Sequence, residues 1–432
     1  MSPRPVATPP VDADDVRDNG SQADVSADVV IVGGGPAGLT AARELARDRS
    51  VLVLDREATA GGIPRHSDHL GYGVRDLRRV TSGPAYARML VDAADSAGAV
   101  VRTEATVTGW SGERALEVTS PQGRLTVRGA AIVLATGARE RPRTARLVPG
   151  DRPPGVLTTG QLQNLVHLQH RSPGTRALVV GAELVSWSAV LTLRESGCET
   201  VLMTSEDAHG ESYAAFRVPA RAVLRVPVAR RTRVVRVIGR ERVEGVEIEN
   251  LRTGARRTVA CDTVVFTADW IPDHELVRLG GLDLDVATLG PRVDAALRTS
   301  HPGVFAAGNL CHAADTADVA ALDGRHAADG VRRWLDAGAG PSGGARIVAD
   351  APFRWVAPSL LTSDGGVPAR GRLLLWPDEY RAVPRVVARQ DGRVVGQRRL
   401  PWPLAPGRVF RVPWSVVADA DPAGSDVHVG LA

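Results

Sequence analysis

Three glycines at the spacing Gly33-x-Gly35-x-x-Gly38, with Asp55 placed 22 residues after Gly33, form the most chemically specific pattern in the chain. Gly33 permits a tight turn, Gly35 lets the backbone approach a pyrophosphate, and Gly38 lets a helix pack closely on a strand. The start of that helix offers unpaired N–H groups and a positive dipole end to phosphates. Asp55 can accept hydrogen bonds from a ribose. The bland alternative is a Gly-rich turn that binds nothing. Its surroundings argue otherwise: residues 28–32 read as a buried parallel strand, 39–47 have helical spacing, and 51–54 form a second buried strand ending at Asp55.

A second copy of this order begins near Ala177. Residues 178–180 read as a strand, Gly181 opens a turn, 185–194 form a helix, and 200–203 a further strand. Both halves then insert a hairpin before the next parallel strand, 116–127 before 131–137 and 245–259 before 263–269. The chain therefore repeats one nucleotide-binding architecture. In the second copy the fingerprint is Gly181-x-Glu183-x-x-Ser186, so Glu183 stands where a pyrophosphate should approach. Two unit charges about 5 Å apart at an effective dielectric near 20 repel by roughly 3 kcal/mol, or about two decades of affinity. Ser186 is small and less harmful. The departure counts against NAD(P) and for a domain kept for packing or assembly. A swung-out Glu183 with Glu206 serving a ribose, or a different nucleotide, stays open.

Residues 302–309 supply another strand, a helix follows from about Thr316 to Trp334, and 337–345 are a Gly/Ala/Pro/Ser linker. Beyond it, 346–432 switch to short alternating runs broken by Pro and Gly, which predicts a small β domain of sandwich type. Trp355, Trp376, Trp402 and Trp414 read there as packing residues rather than a ligand box.

The strings VVIVGGGPAGLTAARELA, VLVLDREATAGG, IVLATGARERP and GVFAAGNL occur in that order over roughly residues 27–338. On them the chain resembles the two-dinucleotide-binding flavoproteins of the pyridine-nucleotide-disulfide reductase superfamily. GGIPRHSDHLGYG, TSGPAYARML and PPGVLTTGQLQ are similar to the flavoprotein subunits of hydrogen-cyanide synthase, opine oxidase and proline or hydroxyproline dehydrogenases. The resemblance implies FAD in the first site. Gly33, Gly35, Pro36, Ala37 and Gly38 would cradle its pyrophosphate, and Asp55, with Arg56 beside it, would hold the adenosine ribose. Gly62 would pass close to the flavin, Val107 would offer its backbone to the adenine, and Thr136-Gly137 would approach the cofactor. Gly308-Asn309 would reach the ribityl chain, with Asn where many relatives carry Asp. A helix starting near Asp318-Val319 would aim its N-terminus at the flavin pyrimidine edge. Gln161 and Gln163 would line the flavin cavity.

The fold class expected is α/β, with two Rossmann-like (FAD/NAD(P)-binding) domains and a small C-terminal all-β domain. The expected boundaries are a disordered tail at 1–26, an FAD-binding domain at 27–155 and 286–338, an NAD(P)-binding-like domain at 156–285, and the β domain at 346–432.

Arg65-His66-Ser67-Asp68-His69 is the densest polar cluster near the expected flavin. His66 and His69 are the candidate catalytic residues, against a reading of both as loop residues. The His-x-x-His spacing with Asp68 lacks a third ligand, so no metal is expected. All 53 basic residues are arginine, which excludes a lysine Schiff base, and against 49 acidic residues they leave a net charge of only +4. Cys198, Cys261 and Cys311 are too scattered for a redox disulfide or a self-contained iron–sulfur cluster, and their number fits a reducing compartment. The arginine clusters at 139–143 and 230–233 lack aromatic platforms, so no nucleic acid is expected. No leader or membrane-length apolar run is evident, which predicts a cytoplasmic protein. The expected function is an FAD-dependent oxidoreductase, the flavoprotein subunit of a multi-subunit amine, amino-acid or polyol dehydrogenase. Its partners would be a small-molecule substrate or a dehydrogenase subunit in a hetero-oligomer. The alternatives are a stand-alone NAD(P)H-dependent flavin reductase and a non-catalytic nucleotide-binding assembly subunit.

Overall fold

The strand Ala23–Val32 organises the first domain, running parallel to Val51–Leu54 on one side and to Gly123–Leu134 on the other. The computed structural model describes residues 23–212, 223–313, 316–338 and 343–432. Val100–Arg102 extends the first sheet beyond Val51–Leu54, and Val304–Ala306 joins the C-terminal end of Gly123–Leu134, both in parallel. These strands read as unbroken apolar runs because both faces are covered; Val29, Val30 and Ile31 have no exposed surface. The hairpin of Thr106–Gly112 and Ala115–Ser120 lies antiparallel beside the other end of Gly123–Leu134.

The first strand begins earlier than its apolar run suggests. Asp24, Val25 and Ser26 pair with Thr126, Val127 and Arg128, so residues 23–26 belong to the sheet and not to a disordered tail. Their backbone groups complete a ladder, a demand that side-chain composition does not register. The rest of the expected tail, residues 1–22, lies outside the described residues.

In the second domain five parallel strands run in the order Val156–Thr158, Thr263–Phe266, Arg176–Val180, Glu199–Thr204 and Val228–Ala229. A three-stranded antiparallel sheet, Thr232–Ile238, Gly245–Asn250 and Arg256–Ala260, accompanies it. The domains are joined by an antiparallel ribbon of Ala138–Glu140 with Trp270–Pro272. Both crossings therefore precede the positions read from sequence. Val148 already packs with the second core, whereas Leu276, Val277 and Leu282 have rejoined the first, where Trp110 Nε1 donates to Leu276 O at 2.8 Å. Residues 138–155 are Arg- and Pro-rich throughout, so composition does not say where along them the chain crosses, and packing does. The first arginine cluster braces this passage: Arg139 binds Asp273 and Glu275, Arg141 pairs with Asp269, and Arg143 donates to Val148 O and Pro149 O.

Ala317–Ala337 is the longest helix among the described residues, and it crosses Pro36–Leu45 where a Cβ on Gly324 would stand 2.0 Å from Ala37 O. Gly338 ends it in the left-handed conformation (φ +66°) that favours glycine. Part of the expected linker, 339–342, lies outside the described residues. The C-terminal domain sets a five-stranded sheet containing Ala345–Ala349, Arg385–Gln390 and Val427–Leu431 against a three-stranded sheet of Phe353–Ala357, Arg372–Pro377 and Phe410–Pro413. Ile347, Phe353, Leu375, Val386 and Val412 share the core between them. Trp355 and Trp414 are buried, Trp376 stacks on Trp355, and Trp402 is exposed. This domain is clamped to the first by Arg298, which binds buried Asp294 and, across the interface, Asp364 and Thr362.

Candidate functional site

Gly33 ends the first strand with φ +107°, and a Cβ there would stand 2.4 Å from Ala135 O, so the turn demands glycine. A Cβ on Gly38 would lie 1.9 Å from Gly33 O, which is the close helix–strand packing expected of the third glycine. Gly35 caps the helix Pro36–Leu45 with extended backbone and contributes no side-chain cap, leaving first-turn N–H groups for a phosphate. Asp55 is buried, and its carboxylate accepts from Gly34 N (2.7 Å) and Glu57 N (2.8 Å). Lone pairs remain for a ribose. Gly62, at φ +64°, brings its loop against Gly35, where a Cβ would come within 2.9 Å of Gly35 Cα.

Other sequence-predicted residues gather around this cradle. Gly308 (φ +71°) packs on Ala37, 2.9 Å from Ala37 Cβ to the place its own Cβ would take, with half-buried Asn309 next to it. Val107 lies two residues beyond Ala105, whose N–H bonds Asp55 O at 2.9 Å. Thr136 Oγ1 donates to Asp273 O (2.8 Å), Gly137 O accepts from Asp273 N (2.9 Å), and Arg56 pairs with Asp273 at 3.6 Å. Asp318 and Val319 occupy the first turn of Ala317–Ala337, but the Asp318 carboxylate is taken by Arg75 N (3.0 Å), the Arg75 guanidinium and Thr316 Oγ1. Only the backbone of that turn is left to face a ligand.

The polar cluster divides. His66 is buried, its Nδ1 has no hydrogen-bond partner, and burial followed by the Arg65 charge lowers its pKa to about 4, so it is neutral at pH 7. An unfolded histidine protonates near 6.5. Stability is therefore expected to fall by about 2 kcal/mol as pH drops from 6.5 toward 4. Thermal unfolding of wild type and His66→Gln at pH 7 and 4.5 measures this, with the variant showing the smaller loss.

His69 serves a network between domains. Its Nδ1 faces Leu70 O (2.9 Å), and its Nε2 lies 2.6 Å from Ser188 Oγ and 3.1 Å from Ser67 Oγ. Gln163 Nε2 donates to both hydroxyls, at 2.8 and 3.2 Å. Ser188, on the helix Leu184–Glu195 of the second domain, carries no sequence signal, since an isolated serine in a helical run looks like any other. Gln161 is exposed and closes a capping box with Thr158. Asp68 pairs with His167, and among the described residues no cluster could hold a metal ion. The three cysteines are buried free thiols, and burial raises the pKa of each, to about 12 for Cys198 and about 11 for Cys261. A reactive thiolate is not available from them.

The second fold keeps the turn and loses the cradle. Gly181 has φ +126° and a Cβ there would meet Thr267 Oγ1 at 2.1 Å. Fully buried Ser186 bonds Thr267 Oγ1 (2.6 Å) and accepts from Glu183 N (3.1 Å). Glu183 caps the helix Leu184–Glu195 in the place that Gly35 takes in the first domain. Burial and then neighbouring Glu211 push the Glu183 carboxyl well above the usual carboxylate range. Glu211 bonds Ala182 N at 3.1 Å and Ser205 Oγ, occupying another part of the same loop. Gly407 of the C-terminal domain closes over both: a Cβ there would stand 2.6 Å from Glu211 Cβ and 3.0 Å from Glu183 Cγ. Glu206 lies exposed beyond Glu199–Thr204. These residues do not fit an NAD(P) pyrophosphate. No helix of the described residues is long and apolar enough to cross a membrane.

The family model for pyridine nucleotide-disulphide oxidoreductase matches residues 27–324. The chain is 28% identical to an opine oxidase subunit of Rhizobium meliloti over 70% of its own length and 61% of that relative's. It is 27% identical to a thioredoxin reductase of Treponema pallidum, covering 66% of this chain and 88% of the other. In fold it is similar to T. acidophilum thioredoxin reductase (TM-score 0.60, 22% identity, 73% of this chain and 99% of that one). It is also similar to L-proline dehydrogenase of P. horikoshii (TM-score 0.55, 19% identity, 76% and 58%). The first cradle fits the dinucleotide that such enzymes use, and the chain belongs to the pyridine nucleotide-disulphide oxidoreductase family as an FAD-dependent oxidoreductase.

Proposed function

We propose that this oxidoreductase is the flavoprotein subunit of a multi-subunit amine, amino-acid or polyol dehydrogenase. Its electrons would come from a small-molecule substrate or a partner dehydrogenase subunit rather than from NAD(P)H. One observation carries the reading: a complete dinucleotide cradle at Gly33–Gly38 stands beside a second fold whose phosphate end holds Glu183 and is covered by Gly407. Similarity to opine oxidase subunits supports it, since these are named as subunits.

FAD supplies the hydride and electron chemistry when bound. Gly33, Gly35, Pro36, Ala37 and Gly38 would hold its pyrophosphate, with Asp55 and Arg56 at the ribose and Val107 at the adenine. Gly62, Thr136, Gly137, Gly308, Asn309, Asp318 and Val319 would complete the site. His66, kept neutral by burial, would hold or take a proton at Nδ1. His69 would be oriented by Ser67 and Ser188 and would order the interface between the two domains.

Anaerobic titration tests the proposal. NADH and NADPH at micromolar levels are expected to leave the flavin oxidised. A dehydrogenase subunit from an adjacent reading frame, given its amine or polyol substrate, is expected to bleach it. Rapid bleaching by either nucleotide alone would overturn the reading in favour of a stand-alone reductase. Glu183→Gly by itself is expected not to confer nucleotide reduction, because the Gly407 loop still covers the helix end.

A further inference from the structure

The phosphate end of the second dinucleotide fold is built against the chain's own C-terminal domain. The two Cγ atoms of Glu183 and Glu211 each lie 3.0 Å from the point where a Cβ of Gly407 would stand, and so are no more than about 6 Å apart. Gly407 has φ +76°, so glycine satisfies both the backbone and the lack of room. A second contact seats the same domain: Tyr380 stacks on His209 with ring centroids 4.5 Å apart and planes 11° from parallel. The two glutamate side chains thus converge under Gly407, Glu211 buried and Glu183 half-buried. Such a pair is tolerated when protons are shared and repels when both groups ionise.

We propose that the C-terminal β domain is a proton-gated lid on the second dinucleotide fold, seated on the Glu183–Glu211 face while those carboxyls are protonated and released from it as they ionise.

The described charges around the pair are of both signs. Arg146 faces Glu183, but its guanidinium is committed to Thr267 O and Ala268 O and lies 3.9 Å from Asp269. Asp269 and Asp207 add like charge to Glu183. Glu211 faces Asp207 and Glu206, with exposed Arg230 as its nearby cation. From the lid, Asp378 is paired with Arg354 at 2.6 Å and acts on Asp207 together with it. Burial, then Asp207, pushes the Glu211 carboxyl up to about 7. Because the seated state holds the protonated form, seating is strongest below about pH 4.5 and weakens as pH rises through about 7.

Hydrogen exchange on the full-length chain from pH 5 to 8.5, corrected for intrinsic rates, tests this at residues 181–186, 205–212 and 402–409. Protection there is expected to fall by about a hundredfold over that range, while strand residues 29–32 stay protected. The double variant E183Q/E211Q is expected to remain protected at every pH, and Gly407→Ala to be unprotected at every pH. Protection independent of pH in the wild type would overturn the proposal, as would an unchanged pH dependence in E183Q/E211Q. Should E183Q/E211Q lose protection at 29–32 and so fail to fold, Gly407→Ala decides. Full protection in that variant overturns the lid, and loss confined to the two faces supports it.

Discussion

Gly35→Glu is expected to leave the first domain folded and to strip it of FAD. A Cβ at Gly35 would meet nothing closer than Gly62 Cα at 4.0 Å, so a side chain can be accommodated. The carboxylate then enters the phosphate site, as Glu183 does in the second fold. Repulsion of roughly 3 kcal/mol at about 5 Å predicts a loss of about two decades in affinity. Flavin-to-protein ratio after purification and a fluorescence titration with FAD measure the effect, and circular dichroism checks that the fold is retained. Gly38→Ala would give a different result. Its Cβ strikes Gly33 O and pries the helix from the strand, so flavin and thermal stability are lost together. Retention of FAD by Gly35→Glu would mean that the pyrophosphate does not lie at this helix end.

Arg298→Met is expected to cost about 3–5 kcal/mol, because Asp294 is left charged in a site with no exposed surface. Arg298 gives Asp294 its Nε at 2.7 Å, and it reaches across the interface to Asp364 at 2.6 Å. Hydrogen bonds from Ala296 N, Arg298 N and Thr362 Oγ1 remain to Asp294, which favours the lower end of that range. Asp364 is far more exposed, so Asp364→Asn is expected to cost about 1 kcal/mol or less. Denaturant unfolding followed by tryptophan fluorescence measures both, since Trp355 and Trp414 report the C-terminal domain. Equal effects of the two variants would show that the buried charge is not what holds the interface.

Much of the first site was legible because it is contiguous. Strand, turn, helix and acid lie between Ala23 and Asp55, and the glycines act on atoms only a few residues away in sequence, Gly38 against Gly33 O among them. Such short-range steric demands restrict residue type and so leave a spacing that can be read. The histidine cluster was visible as composition, but its division was not. His69 meets Ser188 across 119 residues, while His66 is neutral because the fold buries it.

By itself the sequence determined two nucleotide-binding folds, the first complete and the second broken at Glu183, and a β domain of another kind after them. Those follow from periodicity and from steric rules that operate within a turn or a strand. Tertiary structure alone decided where the chain crosses between domains, that Gln161 caps a helix while Gln163 bonds Ser188, and that Gly407 closes over Glu183 and Glu211. Each of these depends on which surfaces meet, and surfaces distant in sequence are brought together by packing free energy shared over the whole core, which no local pattern encodes.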